Sequence, residues 1–186
     1  MDAASRKETR YTYADYCDWP DDERWELIDG VPYAMSPAPS QAHQSILGAI
    51  FNQLYGFLDG KPCKVFLAPF DVRLNADTHD NTVVQPDILV VCDDDKLDGK
   101  GVVGAPDLVV EILSPSTALK DKTLKFDKYL KAGVREYWIV DPEINVVSTH
   151  VLENGRYYTV AYTETASMPV YVLDGCTIDL GKVFAG

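Results

Sequence analysis

Residues 83–91 read VVQPDILVV, and residues 106–114 read PDLVVEILS. Both stretches have the nearly continuous apolar composition that is typical of strands buried on both faces of a sheet. Each holds one acidic residue inside the apolar run, Asp87 in the first and Glu111 in the second. A carboxylate without a partner is costly to bury, so these positions indicate a bound cation, a pairing residue or a hydrogen-bond network.

Two carboxylates on neighbouring core strands are the kind of ligand that hard divalent cations such as Mg²⁺ prefer. The backbone carbonyl of Ile112 can complete an open site, so the predicted metal ligands are Asp87, Glu111 and Ile112. Asp107 shares a strand face with Glu111 because the two residues are four positions apart. It stands at the start of the strand after Pro106, where a turn-capping carboxylate is ordinary, and it ranks lower.

Working outward from these strands, the hydrophobic spacing and the turn residues predict an α/β protein. The first long helix can be capped by Ser40, and the second ends at Gly133 in a left-handed conformation. The predicted elements are a hairpin over 25–35, a helix over 41–58, strands over 64–70, 83–91 and 106–114, a helix from Ser116 or Thr117 to Gly133, a strand over 135–141 and a hairpin over 145–163.

Composition sets bounds on the class of protein. A chain of 186 residues with 46% hydrophobic content has the size of one globular domain, expected over residues 1–186. Its longest apolar run, residues 88–92, is too short to span a bilayer, and the first ten residues lead into no apolar signal segment, so a cytoplasmic location is expected. The four scattered cysteines are expected to be reduced thiols.

The formal charge of −12 argues against a broadly basic surface for nucleic acid, because phosphate binding depends on Lys and Arg. A carboxylate-lined active site contributes to that charge, and bound divalent cations would neutralise part of it. A small basic face can therefore coexist with an acidic remainder.

Five segments together carry a resemblance to a known family: WELIDG, MSPAPSQAHQSI, VQPDILVV, PDLVVEILSPST and DKTLKFDKYLKAGVREYWIVDP. The chain resembles the Uma-two-type endonucleases of bacteria, of the PD-(D/E)xK restriction-endonuclease-like superfamily, over nearly its whole length. The resemblance implies an αβββαβ core with a mixed central sheet, and the flanking segments add an N-terminal and a C-terminal β-hairpin. This order agrees with the elements predicted from spacing.

The resemblance also implies roles for individual residues. Asp87 and Glu111 become metal ligands, and a lysine positions the phosphate or activates water. Leu113 occupies the ordinary lysine position, so the resemblance moves this role to Lys125 on the following helix. Helical spacing with Leu119, Thr123, Phe126 and Leu130 toward the sheet places Lys122 beside that stripe and Lys125 nearer to solvent, so Lys122 is the second candidate.

Two further side chains are accessory candidates. His43 falls on the predicted buried stripe of the first helix, where its imidazole could bond Glu111 or a water on the metal, or contact phosphate. Glu26 approaches the carboxylates if the first hairpin packs beside them. Each candidate also has a structural interpretation: a turn cap for Asp87, a buried salt bridge for Glu111, a core histidine for His43, and solvated helix charges for the lysines.

The predicted function is a Mg²⁺- or Mn²⁺-dependent endonuclease that hydrolyses DNA with metal-activated water, acting as a homodimer because two active sites cut two strands most simply. The alternative is a binding or regulatory protein that keeps the nuclease fold with weak or no catalysis. Leu113 and the acidity of the chain favour that alternative. A hydrolase of another phosphate ester would use the same carboxylates.

Overall fold

The computed structural model describes residues 9–20, 23–35 and 38–185. Ser36 and Pro37, within the motif MSPAPSQAHQSI, and most of the N-terminal segment lie outside the described residues. No helix in the described ranges is long and apolar enough to cross a membrane.

The chain forms a mixed α/β structure with two main sheets and a small two-stranded sheet near the C-terminus. The helical elements are α1 Tyr13–Tyr16, α2 Gln41–Leu58, α3 Ala118–Lys120, a π-helical turn over Asp121–Lys125, α4 Phe126–Ala132 and α5 Leu180–Val183. The strands are β1 Trp25–Ile28, β2 Val31–Ala34, β3 Lys64–Leu67, β4 Asp71–Arg73, β5 Val83–Val84, β6 Ile88–Val91, β7 Gly101–Val103, β8 Leu108–Ile112, β9 Glu136–Asp141, β10 Val146–Glu153, β11 Arg156–Thr163, β12 Ser167–Pro169 and β13 Thr177–Asp179.

The larger sheet has six strands in the order β11-β10-β9-β8-β6-β3. Strand β8 runs parallel to β9, and the other neighbours are antiparallel. Along the chain, its first four strands and their helices follow the order α2, β3, β6, β8, helical segment 118–132, β9. The predicted αβββαβ core and mixed sheet are confirmed.

The smaller main sheet has five strands in the order β2-β1-β5-β4-β7. It takes in the N-terminal hairpin, whose turn residues Asp29 and Gly30 both have positive φ, as the Asp-Gly pair predicted. The C-terminal hairpin β10-β11 turns at Asn154 and Gly155 in the same way and extends the six-stranded sheet. Strand β7 comes from a segment that was expected to be loop.

The run VVQPDILVV is divided between the two sheets, although it was predicted as one strand. Strand β5 belongs to the five-stranded sheet and β6 to the six-stranded sheet. Pro86 lies between them and has no N–H to donate to a strand ladder, so pairing is interrupted there. The interruption places Asp87 at the start of β6, where the two sheets separate.

Strand β3 also departs from the prediction, which gave a core strand over 64–70. It ends at Leu67, lies at the edge of its sheet and is only half-buried. Residues 71–73 then form β4 in the other sheet. The apolar residues 68–70 therefore connect the two sheets and do not extend β3.

Apolar side chains cover both faces of the six-stranded sheet. Ile50 and Leu54 of α2 pack on one face with Val110, and Tyr129 of α4 packs on the other with Val109. Each fully buried side chain of this size contributes about 1.5–3 kcal/mol to folding. Because side chains alternate along a strand, Glu111 points to the face of Val109 and Tyr129.

The cysteine prediction was wrong for one pair. Strands β3 and β6 pair with Lys64 opposite Val91, which brings Cys63 opposite Cys92, and the two form a disulfide. The 28 residues that separate them in sequence gave no indication of this register. Cys17 and Cys176 are free thiols.

Candidate active site

A cleft of about 830 Å³ opens at the end of β8. The five-stranded sheet contributes Glu26 from β1, and the six-stranded sheet contributes Glu111 from β8, with Asp87 just before β6. The first turn of α2 adds His43, and the π-helical turn adds Lys125. The cleft therefore gathers side chains from both sheets and two helical segments.

The two predicted carboxylates lie on the same side of the sheet. Ile88 pairs with Val110 in the antiparallel register of β6 and β8, so the preceding Asp87 stands opposite the following Glu111. The Ile112 N–H donates to Asp87 Oδ2 at 2.7 Å. Asp87 is thus fixed against the backbone of the residue whose carbonyl was predicted as a ligand.

Lys125 is the centre of a buried ion-pair network. Its Nζ lies 2.6 Å from Glu26 Oε1 and 2.6 Å from Glu111 Oε1, with Asp121 Oδ1 at 3.7 Å. Only 3% of the Lys125 side chain is exposed. Lys120 Nζ reaches the other oxygen of Glu26 at 2.6 Å. Glu26 therefore bridges two lysines, and Lys125 bridges carboxylates from the two sheets.

These contacts set the protonation states. Burial alone would lower the pKa of Lys125, but Glu111, Glu26 and Asp121 hold it well above its usual value, so the side chain stays an ammonium. Burial also tends to raise the pKa of Glu26, but Lys125 and Lys120 overcome it and lower that pKa.

Glu111 behaves differently. Burial raises its pKa, the attraction of Lys125 only partly offsets this, and Asp121, Asp87 and Glu26 raise the pKa further. The Tyr129 hydroxyl donates to the same Oε1 at 2.7 Å. Glu111 is therefore a carboxylate whose charge is undercompensated in this cluster.

The donor set fits a divalent cation. Three carboxylates (Glu26, Glu111 and Asp121) surround the ammonium groups of Lys120 and Lys125, and a fourth, Asp87, stands opposite Glu111. A divalent cation would neutralise this negative excess, and carboxylate and carbonyl oxygens are its preferred ligands. Within the described residues no three His, Cys, Asp or Glu side chains form a group that could hold a metal ion, so the ligand set of two side chains and one carbonyl stays a prediction.

His43 contacts Asp87, whereas the sequence suggested Glu111 among its partners. Its Nε2 lies 3.3 Å from Asp87 Oδ2. Burial tends to lower the pKa of His43, but the hydrogen bond and charge of Asp87 and the Ile112 backbone raise it overall. Its Nδ1 is buried without a hydrogen-bond partner among the described residues. His43 therefore stands beside the Asp87 and Ile112 end of the cleft.

The helical segment 118–132 presents a different face from the one predicted. Leu119, expected to face the sheet, is 78% exposed, whereas Asp121, Lys125 and Tyr129 are buried. These three residues share a face by their i,i+4 spacing. The stripe was assigned by hydrophobicity, but the face turned toward the cleft is largely polar, so the expectation that Lys125 lies toward solvent was wrong.

Lys122, the second lysine candidate, lies at the rim of the cleft. Its side chain is 49% exposed, and its Nζ is 3.4 Å from Asp141 Oδ2. An exposed pair of this kind contributes at most about 1 kcal/mol. Lys125, not Lys122, is the lysine that contacts Glu111.

One participant, Lys120, was missed in the sequence. Lys120 and Lys125 both reach Glu26 although they are five positions apart. The π-helical turn between them has the wide i→i+5 geometry that often occurs at functional sites. No composition signal in DKTLK marks such a turn. The approach of Glu26, suggested only on condition that the hairpin packs nearby, does occur.

Comparisons with known proteins agree with this fold. Residues 13–181 match the model of the Uma2 family, described as "Putative restriction endonuclease". A Synechocystis protein named "Uncharacterized protein slr1290" is 32% identical over 152 residues, which cover 80% of this chain and 78% of that protein.

A crystal structure titled as "a putative nuclease belonging to DUF820" from Anabaena variabilis superimposes with a TM-score of 0.76. The superposition covers 94% of this chain and 98% of that chain at 19% identity. At that identity the likeness establishes a shared fold alone.

Proposed function

The chain belongs to the Uma2 family of the restriction-endonuclease type, and from this membership we propose that it is a metal-dependent endonuclease that hydrolyses DNA phosphodiester bonds. The observation that carries the proposal is the position of Lys125. Its ammonium is buried in the cleft against Glu111, which stands opposite Asp87. The proposal places one phosphate where it can meet this ammonium and the two acidic groups.

In this proposal, Asp87, Glu111 and the Ile112 carbonyl hold Mg²⁺ or Mn²⁺. Such a cation would withdraw charge from the scissile phosphate and make water a stronger nucleophile at neutral pH. The undercompensated charge of Glu111 supports this assignment, because the apoprotein leaves part of its negative charge unbalanced.

Lys125 acts as a fixed positive charge. The pKa of its ammonium is held well above the usual value, so it cannot accept a proton from water near neutral pH. Of the two roles open to this lysine, phosphate positioning and water activation, the protonation state favours the first. A charge held in a water-poor cleft stabilises developing phosphorane charge without reorganisation.

His43 is assigned a positioning role. Its contact with Asp87 and the Ile112 backbone holds the carboxylate in one orientation. A protonated imidazole there also places positive charge next to a ligand carboxylate. It therefore tunes the affinity for the cation and does not itself transfer the proton.

DNA is the proposed substrate, supported by the family description and by the positive side chains around the cleft. Arg24, Lys120 and Lys125 all line it, in a chain whose total charge is strongly negative. A local group of cations in an acidic protein matches a limited footprint on phosphates.

Supercoiled plasmid incubated with Mg²⁺ or Mn²⁺ tests the proposal. The wild-type protein is expected to nick it, and Asp87→Asn and Glu111→Gln are expected to abolish nicking. Lys122→Gln is the matched control, since it removes a lysine of the same cleft at its exposed rim. Nicking that survives in both carboxylate variants would rule out this site.

The second candidate is a nuclease-fold protein that binds DNA without cutting it. Leu113 favours it, because the ordinary lysine position holds a buried leucine. So does the pairing of Lys125 with two carboxylates, which leaves less of its charge for a phosphate. A retarded duplex in a gel-shift assay, together with intact plasmid in both metals, would select this function.

A further inference from the structure

The outer edge of the six-stranded sheet is formed by β11, an eight-residue strand with no neighbour on its far side in the described chain. Most of its residues are exposed, including Tyr158 at 54% and Val160 at 43%. An edge strand offers unpaired backbone groups to another strand, and proteins usually block it with proline, lysine or a covering loop. The sequence RYYTVAYT contains neither proline nor lysine.

The hairpin turn determines which backbone groups face outward. In a two-residue hairpin the residues that flank the turn, here Glu153 and Arg156, exchange both hydrogen bonds. Every second residue of β11, beginning with Arg156, then forms backbone hydrogen bonds with β10. The Val160 carbonyl agrees with this alternation, because it also accepts a hydrogen bond from the Thr149 hydroxyl at 3.3 Å. The residues whose backbone groups point away from β10 are Tyr157, Thr159, Ala161 and Thr163.

The strand is complementary to itself. When two copies pair antiparallel with Val160 opposite Val160, Tyr158 of each copy stands opposite Tyr162 of the other. Continuing this register by one residue past the end of β11 brings Arg156 opposite Glu164, the first residue of the following turn. Opposite charges and aromatic pairs on facing strands each contribute about 0.2–1 kcal/mol. Arg156 makes no ion pair with the described residues, and the Glu164 carboxylate accepts only the Asn145 amide, at 2.7 Å.

Neighbouring registers lack this match. Centring the pair on Thr159 places Arg156 opposite Tyr162, and centring it on Ala161 places Glu164 opposite Tyr158. Only the register centred on Val160 pairs the two charges while also aligning the outward backbone groups of Thr159 and Ala161.

We propose that β11 is a dimer seam at which a second copy of this chain adds its own β11, so that the six-stranded sheets of two copies become continuous. The partner is an identical strand because a two-fold axis through Val160 satisfies both charge pairs at once, as an isologous interface requires. The seam lies away from the cleft, so it does not depend on the proposed chemistry.

Light scattering during gel filtration tests the seam. The wild-type protein is expected to have twice the mass of one 20.7 kDa chain at micromolar concentration. Arg156→Glu and Glu164→Arg each place like charges opposite one another and are expected to weaken dimerisation roughly tenfold or more. The double variant, which exchanges the two charges, is expected to restore the dimer.

A backbone variant and a control separate this seam from other surfaces. Ala161→Pro removes an outward N–H without removing a bond to β10, so it is expected to give a monomer with an unchanged circular dichroism spectrum. Lys131→Glu reverses a charge that is 69% exposed on α4 and is expected to leave the dimer intact. A monomeric wild-type protein, or a dimer unaffected by Arg156→Glu and Ala161→Pro, would overturn the proposal.

Discussion

The chain buries two histidines, and their surroundings differ in whether a charged group lies next to the imidazole. His43 lines the cleft, 3.3 Å from Asp87. His150 lies in what we term the aromatic cluster, formed by Phe126, Tyr137, His150 and Tyr157, with the Phe126 ring centroid 5.0 Å away. Both side chains are nearly inaccessible to solvent.

Burial tends to lower the pKa of both imidazoles, but only the pKa of His150 is lowered overall. In the aromatic cluster no charged neighbour opposes burial, and the pKa of His150 falls to about 4. In the cleft, Asp87 and the Ile112 backbone overcome burial and raise the pKa of His43. A buried titratable residue is therefore a candidate for function when a charged group contacts it, and a packing residue when its neighbours are uncharged.

The largest expected effect comes from removing the positive charge of Lys125 from the cleft. Lys125→Met leaves Glu111 buried without its cation, which is expected to cost about 3–5 kcal/mol of unfolding free energy. It should also slow plasmid nicking by roughly a hundredfold or more. Urea unfolding and nicking rates measure the two effects.

Lys122→Met is the matched control for that variant, because the same change at the rim breaks only an exposed pair. Both quantities should then stay close to wild type. A folded Lys125→Met protein with normal nicking would remove the distinction between the two regions.

Adding Mn²⁺ should stabilise the folded protein through the cleft. A substitution in the aromatic cluster should leave that gain unchanged. At a hundredfold excess of Mn²⁺ over its dissociation constant, the wild-type protein is expected to gain about 2.7 kcal/mol. The melting temperature with and without Mn²⁺ is the measurement. Asp87→Asn should lose the gain, and His150→Leu should keep it. An equal rise in Asp87→Asn would place the cation elsewhere.

Replacing each histidine in turn by asparagine should separate an effect on activity from an effect on stability. His43→Asn is expected to lower the nicking rate about tenfold, because the orientation of Asp87 is lost. His150→Asn should leave the rate per folded molecule unchanged and lower the unfolding free energy. Rates normalised to the folded fraction, taken from circular dichroism, decide between the two outcomes.

The smallest expected effect is a pH dependence that belongs to the aromatic cluster. The folded-state pKa of His150 is lowered to about 4 from an ordinary 6.5, so the unfolded chain binds the proton more tightly between these values. Stability is then present above pH 6.5 and is lost as pH falls toward 4. The loss between pH 7 and pH 4.5 is at most about 2.5 kcal/mol, and partial screening by solvent reduces it.

Urea titrations at pH 7 and pH 4.5 measure this loss, and His150→Leu should show a smaller difference between the two. Lys122→Met is the control, because it leaves the aromatic cluster and both buried histidines unchanged. An identical pH dependence in wild type and His150→Leu would mean that other groups account for it.

Much of the fold and the central pair of carboxylates could be predicted from the sequence. Hydrophobic runs and turn residues gave the αβββαβ order, because these signals are local. The facing positions of Asp87 and Glu111 followed from their place in adjacent core strands. Ser40 was identified as the cap of α2, and its hydroxyl accepts the His43 N–H.

The rest depended on long-range packing that no local pattern carries. Hydrophobicity directed Leu119 toward the sheet, but Glu26 from a distant hairpin stabilises the opposite, charged face of that helix. The division of VVQPDILVV between two sheets depends on which strands happen to neighbour it. Resemblance identified Lys125 where helical geometry alone pointed away from it.

The bridge made by Lys125 between Glu26 and Glu111 has a consequence for the newly made protein. One carboxylate comes from the hairpin near the N-terminus, the other from a strand 85 positions later, and the lysine follows both. A chain that has not been synthesised as far as Lys125 cannot assemble this trio, and the buried network forms only when the two sheets have met. In the proposed nuclease, the active site therefore assembles only after the two sheets have packed together.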